Sequence, residues 1–156
     1  MSKSTMTIGI DPGCSGAMVL LLNDTPIEWE AMPVLKSGKA TRVNCAALAA
    51  ILTEWDSADA YVELVGAMPG NGTSSMFSFG HAAGAVAGVL AALQITTTMV
   101  TPQSWKKRAG IAAGADKDAA RARAIQLWPA WRALDAKAKG QALADSALIA
   151  RFGGAL

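Results

Sequence analysis

The sequence predicts an α/β domain with a five-stranded mixed sheet flanked by helices. Three observations carry this expectation. The chain opens with three short apolar runs joined by turn residues, the pattern of an antiparallel meander. Two further short runs follow, each preceded by a stretch of helical spacing, which suits parallel additions to the same sheet. The last third reads as helix alone, and 156 residues fit one core of ordinary size, so a single domain over residues 1–156 is expected.

Thr5 to Ile10 is the first strand, broken by Asp11-Pro12-Gly13. Ala17 to Leu22 is the second, ended by Asn23-Asp24. Pro26 to Met32 is the third, and its alternation of Ile27, Trp29 and Ala31 with Glu28 and Glu30 marks an edge or half-exposed strand. Asn44 is placed to cap a helix over Ala46 to Trp55, where Leu48, Ile51, Leu52 and Trp55 share a face. Ala60 to Val65 is a fourth strand with Glu63 inside it, followed by the loop Pro69-Gly70-Asn71-Gly72. Ser74 or Ser75 is expected to cap a long helix running to about Leu93. Thr97 to Val100 is a short fifth strand, and Pro102 suits the first turn of a short helix with Trp105. Asp116 is expected to cap a helix through Leu127, stopped near Pro129, and a last helix spans about Gln141 to Phe152 before Gly153-Gly154.

Composition excludes several classes. Half of the chain is apolar, so it is expected to fold. The longest apolar candidate, Ala82 to Leu93, falls short of the roughly 20 residues that span a bilayer. Met1 to Met6 lacks the apolar stretch of a secretory signal. Cys14 and Cys45 form no metal-ligand pattern and are expected to be free thiols of a reduced, cytoplasmic protein. No phosphate loop, dinucleotide fingerprint or Ser-His-Asp set is visible, so no nucleotide cofactor is expected, and the single His81 reads as structural. The net charge of +2 conceals a split: Thr101 to Lys139 carries nine basic residues against three acids, a local +6, and the remainder sums to −4. A basic surface beside an acidic region suits a polyanionic partner; the plainer reading is solvated helix faces.

Three acids stand where acids are unfavourable. Asp11 follows the first strand at the sheet edge, Glu63 sits among Tyr61, Val62, Leu64 and Val65, and Asp145 lies in the apolar helix Leu143 to Ala150. Burying such carboxylates unpaired is costly, so a shared cation is an economical explanation. Singly, each has a plain reading: a turn former, an exposed strand residue, and a partner of Arg151. Mg²⁺ takes oxygen ligands and keeps waters that phosphate oxygens can replace. Two such ions about 3.5–4 Å apart can activate water and stabilise the leaving oxygen of a phosphodiester.

The motifs around these acids resemble those of RuvC-type Holliday junction resolvases. Ile8-Gly9-Ile10-Asp11-Pro12-Gly13 with Gly16 is similar to that family's first motif, Tyr61-Val62-Glu63 to its second acidic strand, and Ala144-Asp145-Ser146-Ala147-Leu148-Ile149-Ala150 to its last acidic helix. The stretches 67–80 and 100–107 look most like phage or prophage members. The likeness covers nearly the whole chain, in order. It implies an RNase H-like fold, a homodimer, branched DNA as partner, Mg²⁺ or Mn²⁺ as cofactor, and paired cuts across a four-way junction in a bacterial or phage-infected cell. By position it gives metal-ligand roles to Asp11, Glu63 and Asp145. Lys106 or Lys107, and Lys117, match its basic positions near the scissile phosphate; Lys107 is the expected catalytic lysine. Arg108 and Arg121 complete the expected DNA-contacting set, Lys117 and Arg121 as i, i+4 neighbours meeting successive phosphates.

Two departures from the family stand out. The family's usual further acid, about one turn before the last Asp, is missing; Gln141 lies there and could offer a neutral oxygen ligand, with weaker metal binding as the expected result. Gly66 stands where an aromatic is common, so stacking on bases falls to Met68, Met76, Phe77 or Phe79. The long helix has small residues at Gly80, Ala83, Gly84, Ala87, Gly88 and Ala91, one smooth face for either its own sheet or a second copy. Trp55, Trp105, Trp128 and Trp131 read as core or rim residues, with Trp105 beside Lys106 as a possible DNA contact. Competing readings are a catalytically weakened branched-DNA-binding protein, an RNase H-like nuclease with another substrate, and an actin-like or sugar-kinase-like ATPase, for whose two lobes the chain is short.

Overall fold

The computed structural model describes residues 3–56 and 58–154. The expectation for Met1 to Met6 therefore falls partly on Met1 and Ser2, outside the described residues. The strands are β1 (Met6–Ile10), β2 (Ala17–Leu22), β3 (Thr25–Ala31), β4 (Val34–Ser37), β5 (Ala40–Val43), β6 (Asp59–Glu63) and β7 (Thr97–Val100). Five of them form one sheet in the order β3-β2-β1-β6-β7. β1 pairs antiparallel with β2 and parallel with β6; β6 pairs parallel with β7. This is the mixed sheet the sequence predicts. Asn23 and Asp24 turn β2 into β3 with φ of 47° and 65°, a left-handed pair that suits a two-residue hairpin and that these side chains tolerate. β3 is an exposed edge, as its alternation predicts.

β4 and β5 were not foreseen. They form a separate hairpin around Gly38, each only four residues long and pairing with nothing else. β4 is exposed along its length, so no buried face writes an alternating pattern into it.

Helices cover both faces. α1 (Cys45–Glu54) and α2 (Thr73–Ala92) lie on one, over a core of Ile8, Ile10, Met18, Leu20, Leu48, Leu52, Val86 and Leu90. Asn44 caps α1 as expected, its Oδ1 accepting from the Ala47 N–H at 3.1 Å. α2 begins earlier than expected: Gly72 is its N-cap without a side-chain bond, and Ser74 and Ser75 lie inside the first turn. α2 also corrects the view that no apolar stretch is long enough for a bilayer. By length and composition alone it qualifies, but its Ala82, Val86 and Leu90 row is buried on the sheet. Its glycines face away from that sheet: a Cβ added at Gly80, Gly84 or Gly88 meets nothing within 4 Å. Packing of this small-residue face on the chain's own sheet is thereby excluded.

α3 (Pro102–Arg108), α4 (Ala119–Leu127), a 3-10 turn (Arg132–Asp135) and α5 (Lys137–Phe152) make up the opposite side. α4 starts at Ala119, later than Asp116 suggests; the Asp116 carboxylate instead accepts from the Asp118 N–H at 2.9 Å within a turn. Lys117 is therefore outside the helix, and it is not a helical neighbour of Arg121. α5 starts a turn earlier than predicted. Gly140 is no helix break but the point where the 3-10 turn touches α5: a Cβ there would lie 2.5 Å from the Leu134 carbonyl oxygen.

α5 fits against the sheet because Gly9 has no side chain. A Cβ at Gly9 would sit 1.8 Å from the Ser146 carbonyl oxygen and 2.6 Å from the Ala150 nitrogen. The Ser146 hydroxyl, fully buried, lies 2.8 Å from the Ala17 carbonyl and 2.9 Å from that of Ala142, and donates to one at a time. Ala17, Val19, Leu21, Ala144 and Ala147 fill this second interface.

Candidate active site

The alternation of β1 and β6 decides where their acids point. Ile8 and Ile10 face α1 and α2, whereas Gly9 faces α5. Asp11, one residue on, falls on the α5 side. On β6, Val62 joins the α1–α2 core and Tyr61 joins the cluster with Leu148 and Ile149 of α5, so Glu63 shares Tyr61's side. Ile10 pairs with Val62 in parallel register, which puts Asp11 and Glu63 side by side at the carboxyl ends of neighbouring strands. Crevices at such strand ends are where α/β sheets bind ligands. Asp145 precedes Ser146, the residue docked over Gly9, and arrives at the same edge from α5.

Each acid has a neutral partner. The Gly13 N–H points at Asp11 Oδ1 across 3.4 Å. The indole N–H of Trp105 donates to Glu63 Oε2 at 2.7 Å, and the Gln141 amide donates to Asp145 Oδ1 at 3.2 Å. Arg151, the plain-reading partner of Asp145, pairs with Asp24 instead, at 2.6 Å. Burial pushes the Asp11 carboxyl above its ordinary range, against the weak Gly13 bond. Burial does the same to Glu63; the Trp105 bond opposes it, the Asp11 charge adds to it and Lys106 opposes it. Asp145 is pushed up to about 7, first by burial and then by the charges of Asp11 and Glu63, against Lys106 and Gln141. The three acids are thus close enough to disturb one another's ionisation.

A cleft of about 910 Å³ opens beside Asp145, the one acid of the three in its lining. Lys106, Lys107 and Lys117 line it together with Gln141 and Asp145. Lys106 also lies over the Trp105 ring, 5.4 Å from its centroid. The two arginines expected beside these lysines are engaged elsewhere. Arg108 donates to the carbonyls of Gly153 and Gly154 and to Ser104, tying α3 to the end of α5. Arg121 donates to the Leu134 carbonyl at 2.7 Å and to the Asp135 carbonyl at 3.3 Å, and pairs with Asp118. Met76 and Phe77 sit exposed on the first turns of α2, the helix that follows the loop after Glu63; Arg42 stacks on Phe77 at 5.4 Å. His81 is exposed beside Phe77.

The oxygen-only donor set of three half-buried carboxylates fits a hard divalent cation, which would also favour their ionised forms. Among the described residues, however, no three His, Cys, Asp or Glu side chains form a ready-made metal cage. One oxygen each of Glu63 and Asp145 is turned to an N–H donor, and Gln141 presents its amide hydrogens, not its oxygen, to Asp145. Sequence reasoning missed the tie between Trp105 and Glu63, which are 42 residues apart with no spacing rule to join them.

No protein family and no curated protein matches the sequence. Solved structures do. The chain is similar to a Thermus thermophilus RuvC structure, with 18% identity, a TM-score of 0.59, and coverage of 96% of this chain and 97% of the other. It is also similar to T. thermophilus RuvC in complex with a Holliday junction substrate, with 16% identity, a TM-score of 0.66, and coverage of 94% and 90%. At this identity the likeness establishes the RNase H-like fold.

Proposed function

We propose that this protein is a divalent-metal-dependent endonuclease that resolves Holliday junctions or other branched DNA. The observation that carries the reading is the approach of Asp11, Glu63 and Asp145 to one another from two strand ends and a helix, with Asp145 also lining a cleft that holds Lys106, Lys107 and Lys117. The same fold in a protein solved with a Holliday junction substrate supports the choice of DNA. The likeness to phage and prophage members rests on stretches 67–80 and 100–107 alone.

In this reading Asp11, Glu63 and Asp145 hold Mg²⁺ or Mn²⁺. The bound cation supplies Lewis acidity to the phosphodiester and to the attacking water. Lys106, Lys107 and Lys117 seat the phosphate backbone, and Lys107, or Lys106 beside Glu63 and Asp145, offsets charge that builds on the phosphate. Arg108 and Arg121 keep α3 and α4 in place, with indirect effect on DNA. Met68, Phe77 and Phe79 are exposed by 65%, 63% and 48%, and with Met76 they are the surfaces for stacking on unpaired bases. The outward glycine face of α2 is the surface for a two-fold dimer, which presents two sites for paired cuts.

Asp11→Asn and Glu63→Gln are expected to abolish cutting of labelled four-way junctions in Mg²⁺ or Mn²⁺ while junction binding persists. Cleavage at the wild-type rate by either variant removes the mechanism. A second reading, a junction-binding protein with weakened catalysis, is favoured by Gln141 in place of an acid and by the open arrangement of the carboxylates. Binding without cleavage by the wild-type protein, in both metals, selects that reading.

A further inference from the structure

We infer that Trp105 is a positioning residue for the acidic centre: its indole N–H holds one oxygen of Glu63 and leaves the other for the cation. The inference rests on the reading that Glu63 is a metal ligand. Trp105 is fully buried, so it touches neither solvent nor DNA, and its single polar hydrogen is directed at Glu63 Oε2, 2.7 Å away. Its body is packed among Val100, Ala109, Ala120, Leu148 and Ile149, which leaves the indole no room to swing. Glu63 is thereby fixed at one oxygen by a rigid donor.

The chemistry of that donor matters. An indole N–H donates and never accepts, and it carries no charge. A Lys or Arg bonded to Glu63 would cancel its negative charge and repel an incoming cation. The indole orients the carboxylate and leaves its full charge to the metal. Lys106, stacked over the face of the same ring at 5.4 Å, draws electron density from it and makes the N–H a better donor. Groups that orient first ligands in this way are worth about 10–100-fold in metal affinity.

The chain contains its own control. Trp55 is also buried and donates to a glutamate, Glu28 Oε2, at 2.8 Å. Glu28 stands on the exposed edge strand β3, away from any second acid paired with it in the sheet, where it meets Leu20. An indole–carboxylate bond by itself therefore marks nothing; the position of Glu63 beside Asp11 does.

The experiment is a titration of Mn²⁺ into metal-free protein without DNA, comparing wild type, Trp105→Phe and Trp55→Phe. Phenylalanine keeps an aromatic body and removes the donor. Trp105→Phe is expected to bind Mn²⁺ about 10–100-fold more weakly, and Trp55→Phe to bind as the wild type does. Equal affinity of wild type and Trp105→Phe overturns the inference and leaves the metal reading standing. No Mn²⁺ bound by the wild type overturns both. Should Trp105→Phe fail to fold, the wild type labelled with ¹⁵N-tryptophan decides. On Mg²⁺ addition the indole N–H signal that Glu63→Gln displaces should move with metal occupancy yet stay hydrogen-bonded. Its shift to a free-indole position shows Glu63 leaving Trp105 for the cation, and overturns the inference.

Discussion

Asp145 holds its proton more tightly than any ordinary aspartate, because burial and two neighbouring acids oppose its charge. The consequence for stability has a definite sign. A carboxyl whose folded pKa is raised contributes stability that is complete below its unfolded pKa, about 3.9. That contribution is lost as pH rises through the folded value, here about 7. Asp11 and Glu63 are shifted in the same direction. The metal-free protein should therefore lose stability, on the order of a few kcal/mol, between about pH 4 and pH 7. Denaturant unfolding in chelator at pH 5 and pH 8 measures this, and Asp145→Asn should be the more stable protein at pH 8 and the less sensitive to pH. A pH dependence identical to wild type contradicts the burial account. The three acids were legible because a carboxylate in an apolar run demands a reason. The roles of Arg108 and Arg121 were not, because the acceptors that tie them to distant segments are backbone carbonyls at Gly153, Gly154, Leu134 and Asp135, which any residue type supplies.

At the scale of elements, α5 and the sheet are held at a distance that only glycine at position 9 permits. Gly9→Ala places a methyl inside contact distance of the α5 backbone, so the helix must shift, at a cost of roughly 1–3 kcal/mol or more. Asp145 travels with that helix. Gly9→Ala should lower the midpoint of denaturant unfolding and also reduce the stabilisation that Mg²⁺ confers on the folded protein. Unchanged unfolding would show that α5 is not fixed by this contact. The strands of the large sheet were legible wherever burial writes a pattern, as in β2, which lies between two helical layers. Helix starts were less so. Ser74, Ser75 and Asp116 are all good capping residues, yet Gly72 and Asp118 occupy the caps, because the loop leading into each helix sets where it begins.

For the whole molecule, the glycine face of α2 meets nothing among the described residues. An isolated exposed helix gains up to about 1 kcal/mol from each Gly→Ala change, so glycines at 80, 84 and 88 facing open space weaken a lone chain. A second copy packed there gives them a use. The protein should sediment as a dimer, and Gly84→Arg should yield a folded monomer with unchanged secondary structure; a monomeric wild type at micromolar concentration contradicts the proposal. The sequence by itself determined the sheet of five strands, the three acids and the basic stretch that follows them, since each is written locally as periodicity or as a charge in an apolar setting. Only the tertiary structure decided which side of the sheet the acids share, that the lysines of α3 and its following loop line the cleft beside Asp145 while two arginines do not, and that Trp105 reaches Glu63. Those facts depend on strand register, on α5 closing over Gly9 and on contacts between residues far apart in the chain, and none of these leaves a local mark in the order of amino acids.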